Sequence, residues 1–187
     1  EVIYKHPVIV ERGSRRALEQ QHLDVVERAK KGFLADVKDS EKEVVSLLEI
    51  SLNERSQKEA LTSEELLATV DRLSGMGHRI LVSNFSAFYD ITGFLRRYTK
   101  EPIGVFMSVG NIVRLMNNRS YENMDGGLLE GLGKLMSFGV HGYVYPMKIE
   151  ELRRVLLPAE LENAGLSREG EGDVTLEHLN MKPPMNH

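Results

Sequence analysis

The chain has 187 residues, no cysteine, 41% hydrophobic and 28% charged residues, and a formal net charge of -4. That length supports one domain with a real hydrophobic core; the lack of cysteine excludes disulfides, thiolate metal sites and a cysteine nucleophile. The interspersed charges exclude a global pull toward nucleic acid or anionic lipid.

Apolar runs fall far short of the ~20 residues that a membrane span needs. No segment has the build of a secretory signal, so the expected setting is the cytoplasm. The chain starts at Glu1 and stops at MKPPMNH, and it reads as a piece of a longer protein.

Pro7 precedes Val8, Ile9 and Val10, a run short enough for a buried strand and too short for a helix. From His22 onward Leu23, Val26, Ala29, Phe33 and Leu34 recur at helical spacing, with charged residues covering the other face. EVVSLLEIS, from Glu43 to Ser51, predicts a second strand that leaves into a polar loop.

Thr62 or Ser63 followed by Glu65 forms a capping pattern for a helix with Leu66, Leu67, Val70 and Leu73 toward the core, closed by Gly75 and Gly77. Arg79 to Ser83 reads as a third strand. Phe85 to Tyr98 reads as a helix with Phe88, Ile91, Phe94 and Leu95 inward, broken at Lys100 to Pro102. Ile103 to Gly110 predicts a fourth strand, after which Asn111 starts a helix holding Ile112, Leu115 and Met116.

The segment from Gly126 to Phe138 keeps helical leucine spacing, weakened by Gly131 and Gly133. VHGYVYP is a fifth strand ended by Pro146, and KIEELRRVLL is one more helix before Pro158. Beyond Ala164 the composition turns to Gly, Glu and Arg, then Met and Pro. The expected organisation is one domain over residues 1–164 and a flexible linker or tail over 165–187.

Five strands alternating with helices predict an α/β, Rossmann-like parallel sheet with helices on both faces. Such sheets bind ligands beyond the carboxyl ends of their strands. A strand turning on Gly13 and Ser14 into a helix offers backbone amides and a positive helix end to a phosphate, with Arg12, Arg15 and Arg16 adding charge. His22 is placed to contact phosphoryl oxygens as charge grows on them. The plainer reading of Gly13 and Ser14 is a turn with a helix cap, and that of His22 a polar residue in a helix's first turn.

VIVERGS followed by HLDVVERAKKGF resembles the first motif of the nicotinate and nicotinamide mononucleotide adenylyltransferases. In that family an apolar strand runs into Gly-Ser-Phe-x-Pro-x-Thr-x-x-His-Leu, and Gly13, Ser14, His22 and Leu23 fall at the matching spacing. The loop and helix of NERSQKEALTSEELLATVDRL are similar in kind to those that follow the family's second strand. Arg15, Ala17 and Glu19 stand where the family has an aromatic, a proline and a threonine. The family's later Ser-rich turn with arginine has no match between Leu166 and His187.

More widely, PVIVERGS, the block from Arg79 to Ile112 and GGLLEGLGKLM resemble a bacterial family that carries a nicotinate-nucleotide adenylyltransferase label. The resemblance implies adenylyl transfer from ATP to a mononucleotide. His22 would act in catalysis, and Gly13, Ser14, Arg15, Arg16, Ser83, Asn84, Gly110 and Asn111 would contact nucleotide. It implies a nucleotide partner with magnesium (Mg2+) arriving on that nucleotide, and is compatible with a homo-oligomer. The alternative is a catalytically silent nucleotide-binding or interaction module of a larger protein.

ILVSN also resembles the second motif of haloacid-dehalogenase-like phosphatases, but their Asp-x-Asp nucleophile pair is absent. Ser83 and Asn84 then read as a strand terminus with a helix cap that lines the pocket. Arg96, Arg97, Tyr98 and Lys100, like Arg153 and Arg154, suit solvated helix ends. His6, His78, His141 and His178 show no metal-ligand spacing, so no structural metal is expected.

Overall fold

Hydrophobic strand residues that alternate between two covered faces set the centre of this molecule. A computed structural model describes residues 2–13, 27, 30–37, 42–52, 62–117, 121, 124–137, 139–166 and 172–179. The chain divides into two compact units, Glu1–Phe106 with Lys134–Tyr143, and Met107–Gly133 with Val144–His187.

Strand β1 (Val8–Gly13) pairs in parallel with β2 (Val45–Ser51) and with β4 (Ile103–Ser108), and β2 pairs in parallel with β3 (Arg79–Ser83). With β5 (Val140–Tyr145) they form a five-stranded sheet in the order β3-β2-β1-β4-β5. Parallel strands need crossovers, and the intervening helices supply them. The result is the expected α/β, Rossmann-like sheet.

One face of the sheet carries Ile9, Glu11, Leu48, Ile50 and Phe106, by the register of the pairs. Helical residues 30–36 (α1) lay Phe33 on Ile9 and Phe106, and α2 (Ser63–Gly75) lays Leu73 on Leu48 and Ile50. Gly104 leaves room for the Phe33 ring; an added Cβ there would come within 2.8 Å of it. Tyr143 stacks on Phe106 at 4.9 Å and donates its hydroxyl to Asp36, which ties the end of α1 to β5.

The opposite face, with Val10, Arg12, Leu47 and Glu49, meets α3 (Phe88–Leu95) through Phe88, over which the Arg12 guanidinium lies at 5.0 Å.

Local chemistry explains the helix starts. Thr62 accepts from the Glu65 amide, while Glu65 accepts from the Thr62 amide at 2.9 Å, the reciprocal arrangement expected from the sequence. The turn at Gly77 has φ 88°, left-handed backbone that suits glycine. Two residues expected inward point out instead: Leu34 and Leu67 are exposed. Each follows a residue that already fills the stripe, Phe33 and Leu66, and one step along a helix turns the side chain out of it.

The second unit holds α4 (Val109–Leu115), most of α5 (Gly127–Leu135), α6 (Ile149–Val155) and α7 (Pro158–Asn163). A two-stranded antiparallel pair, β6 (Met147–Lys148) with β7 (Asp173–Val174), and a short 3-10 turn, Leu176–His178, complete it. Val109, Ile149, Leu152, Leu161 and Val174 share its core. Ser108, not Asn111, caps α4: its hydroxyl accepts from the Asn111 amide at 3.1 Å. Pro158 opens a helix instead of only ending one, because proline at the first helical position forfeits no hydrogen bond.

Within the stretch read as a tail, Val174 is buried and its strand is paired. Among the described residues no helix is long and apolar enough to cross a membrane.

Candidate functional site

Strand order reverses at β1, with β2 and β3 to one side and β4 and β5 to the other. In open α/β sheets that is where ligands sit, beyond the carboxyl end of the strand. Strand β1 ends there on Arg12 and Gly13, and Gly13 is still in register with Ile50. Ser14, Arg15, Arg16 and His22 lie outside the described residues.

Arg12 was expected to add positive charge for a phosphate. Its guanidinium is instead turned onto Glu49 of β2, with Nε 2.7 Å from Oε2 and an Nη 3.2 Å from Oε1. Glu49 is 0% exposed and the Arg12 side chain 9%. A carboxylate this far from water persists only when paired and hydrogen-bonded, and a two-pronged guanidinium meets that need. The remaining N–H groups of Arg12 reach the carbonyls of Phe85, at 3.1 Å, and Ser86, at 3.3 Å.

Ser83 belongs to the same cluster. Its hydroxyl donates to Glu49 Oε1 and accepts from the Phe85 amide at 3.2 Å. The Ser51 hydroxyl donates to the Phe85 carbonyl at 3.0 Å. Helix α3 starts at Phe88, with Asp90 accepting from the Ala87 amide, so Ser83 and Asn84 do not cap it. The four residues 84–87 form a turn stitched to the sheet's carboxyl edge, on which Asn84 and Ser86 are exposed.

Two carboxylates in this region passed unnoticed in the sequence. Glu11 is 1% exposed on the α1 face, and Glu49 lies on the α3 face. The available signal was a charged residue inside an apolar strand run, in LLEI and directly after VIV; such a residue needs a partner.

Gly110 and Asn111 belong to the second unit and lie in the first turns of α4. A Cβ on Gly110 would come within 3.2 Å of Leu152, so close packing of α4 on α6 is by itself a reason for a small residue there. Among the described residues, the second unit carries open concavities. One, of about 330 Å³, is lined by Arg153, Leu156, Pro158 and Leu161. Another, of about 280 Å³, is lined by Val109, Val144, Tyr145, Pro146, Thr175 and Glu177. Neither is lined by a residue singled out from the sequence for nucleotide contact.

Arg96, His6, His141 and His178 have local partners. Arg96 donates to the carbonyls of Thr99 and Glu101, closing the end of α3, and burial pushes its pKa below the ordinary value. His6 Nδ1 lies 2.9 Å from the Glu43 carbonyl, His141 meets Phe33 edge-on, and His178 pairs with Thr175. Among the described residues no three His, Asp or Glu side chains gather so as to hold a metal ion. Comparison with family models, curated proteins and solved structures finds no match to this chain.

Proposed function

We propose that the first unit binds a nucleotide at the carboxyl end of β1 and, in the cytoplasm, transfers an adenylyl group from ATP to nicotinate mononucleotide. One observation carries the binding part: β1 ends on a glycine at the strand where the order of a parallel sheet reverses. The choice of reaction comes from the resemblance of the Gly13, Ser14, His22 and Leu23 spacing to the mononucleotide adenylyltransferases.

On this reading the main chain at Gly13 and Ser14 approaches the phosphates, with Arg15, Arg16 and the turn at Ser83 and Asn84 bordering them. His22 contacts the oxygens on which charge grows. A mononucleotide phosphate oxygen attacks the α-phosphorus of ATP and pyrophosphate leaves, so positioning and charge stabilisation suffice. Magnesium arrives on the nucleotide as part of the substrate.

A second reading, a silent binding or assembly module, draws on a different observation: Arg12 is committed to Glu49 and two carbonyls, and Glu11 is buried just before Gly13.

Titration with magnesium-ATP and with nicotinate mononucleotide separates the two. A ligand that binds only the folded state raises the unfolding midpoint, by the equivalent of about 2.7 kcal/mol at a hundredfold excess over its Kd. A flat response to both ligands would overturn the enzymatic reading. In a responsive protein, His22→Ala should abolish dinucleotide formation while leaving the midpoint without ligand nearly unchanged.

A further inference from the structure

We infer that Arg12 and Glu49 are positioning residues whose buried ion pair binds the turn at 84–87 to the end of β1, so that both backbone segments bordering this corner move as one piece. That a ligand occupies the corner rests on the function proposed above; the mechanical coupling does not.

Two strands and a turn meet in this pair. Both Glu49 oxygens are used, Oε2 by Arg12 Nε, and Oε1 by an Arg12 Nη and by the Ser83 hydroxyl. Stabilising the carboxylate would need only the two-pronged contact, yet Arg12 also holds the carbonyls of Phe85 and Ser86. Side chains hold further main-chain groups here: Ser83 takes the Phe85 amide, Ser51 adds a second donor to the Phe85 carbonyl, and Asp90 takes the Ala87 amide.

Asn84 and Ser86 are exposed, so apolar burial does little to fix these two residues. Arg12 directly precedes Gly13, and any displacement of the strand end therefore reaches the carbonyls of the turn through one side chain. Arginine suits this task because its rigid fork satisfies a carboxylate and carbonyls at once; a lysine ammonium cannot span them.

Hydrogen exchange of the full chain without ligand, followed by peptide, tests the coupling. Arg12→Met with Glu49→Leu removes both charges at similar volume and is expected to fold. Exchange over 84–87 should then rise about tenfold or more while peptides from α2 stay as in the wild type, the mark of local opening. Unchanged exchange over 84–87 in that folded variant overturns the proposal.

Should the double variant unfold, Arg12→Lys takes its place: the same local rise supports the coupling, and wild-type exchange there overturns it. Addition of magnesium-ATP keeps the two proposals apart. A local rise in the variant with no ATP response in the wild type removes the nucleotide reading and leaves the positioning role standing.

Discussion

Gly104 and Gly93 both lie inside regular elements, yet they should respond to alanine with opposite signs. At Gly104 the added methyl meets the Phe33 ring at 2.8 Å, and Phe33 is fully buried between Ile9 and Phe106. A ring so enclosed cannot yield cheaply, so Gly104→Ala should destabilise by about 1–3 kcal/mol through overpacking. Gly93 lies in α3 with nothing within 4 Å of its added Cβ. Gly93→Ala should stabilise by roughly 0.5–1 kcal/mol, since alanine loses less backbone freedom in a helix. Denaturant midpoints of the two variants, compared at equal slope, check both signs. The same contrast shows where composition stops being informative: both glycines are equal letters, and the Phe33 ring at one and open space on a helix at the other tell them apart.

Among the elements, α2 provides the cleanest case of local sequence dictating local structure. Its first-turn amides are held by Thr62 and Glu65 at an exposed helix start, so Thr62→Ala should cost about 1 kcal/mol. Thermal unfolding measures the loss, and Thr62→Ser should restore it. Strands were legible for a related reason. Arg79–Ser83 and Val140–Tyr145 stand as read, because short β-rich runs entered from a glycine turn leave little choice. The starts of α3 and α4 were not. Residues 84–87 are held by Arg12, which lies more than seventy positions earlier in the chain, as the ~3.1 Å bond to the Phe85 carbonyl shows. No window around Phe85 carries that information. Helix α4 begins at Val109, two residues before the Asn111 expected to start it, and Ser108 caps it. Helix α7 was missed because Pro158 was read only as a stop.

At the scale of the whole molecule, the tie between α1 and β5 should register in the alkaline limb of stability. Burial first, and then the hydrogen bond to Asp36 and its charge, raise the Tyr143 pKa above its ordinary value of 10.0. Below that value tyrosine is protonated in both folded and unfolded chains, and the stabilisation is fully present. As pH climbs beyond it, the unfolded chain loses the proton first, so the contribution fades toward the raised folded value. Tyr143→Phe should therefore lower the melting temperature at about pH 8, and the gap to wild type should narrow near about pH 11. A gap that stays constant would show that the hydroxyl is not held as described. The candidate corner itself was half legible: the sheet and the carboxyl ends of its strands follow from the pattern of strands, whereas the strand order and the fate of Arg12, which depends on a glutamate hidden in LLEI, do not. That glutamate has one more effect. Neighbouring strands slipped by a single residue would send the guanidinium to the wrong side and strand a bare anion in the interior. Alignment of the first two strands is thus proofread by charge as well as by apolar burial.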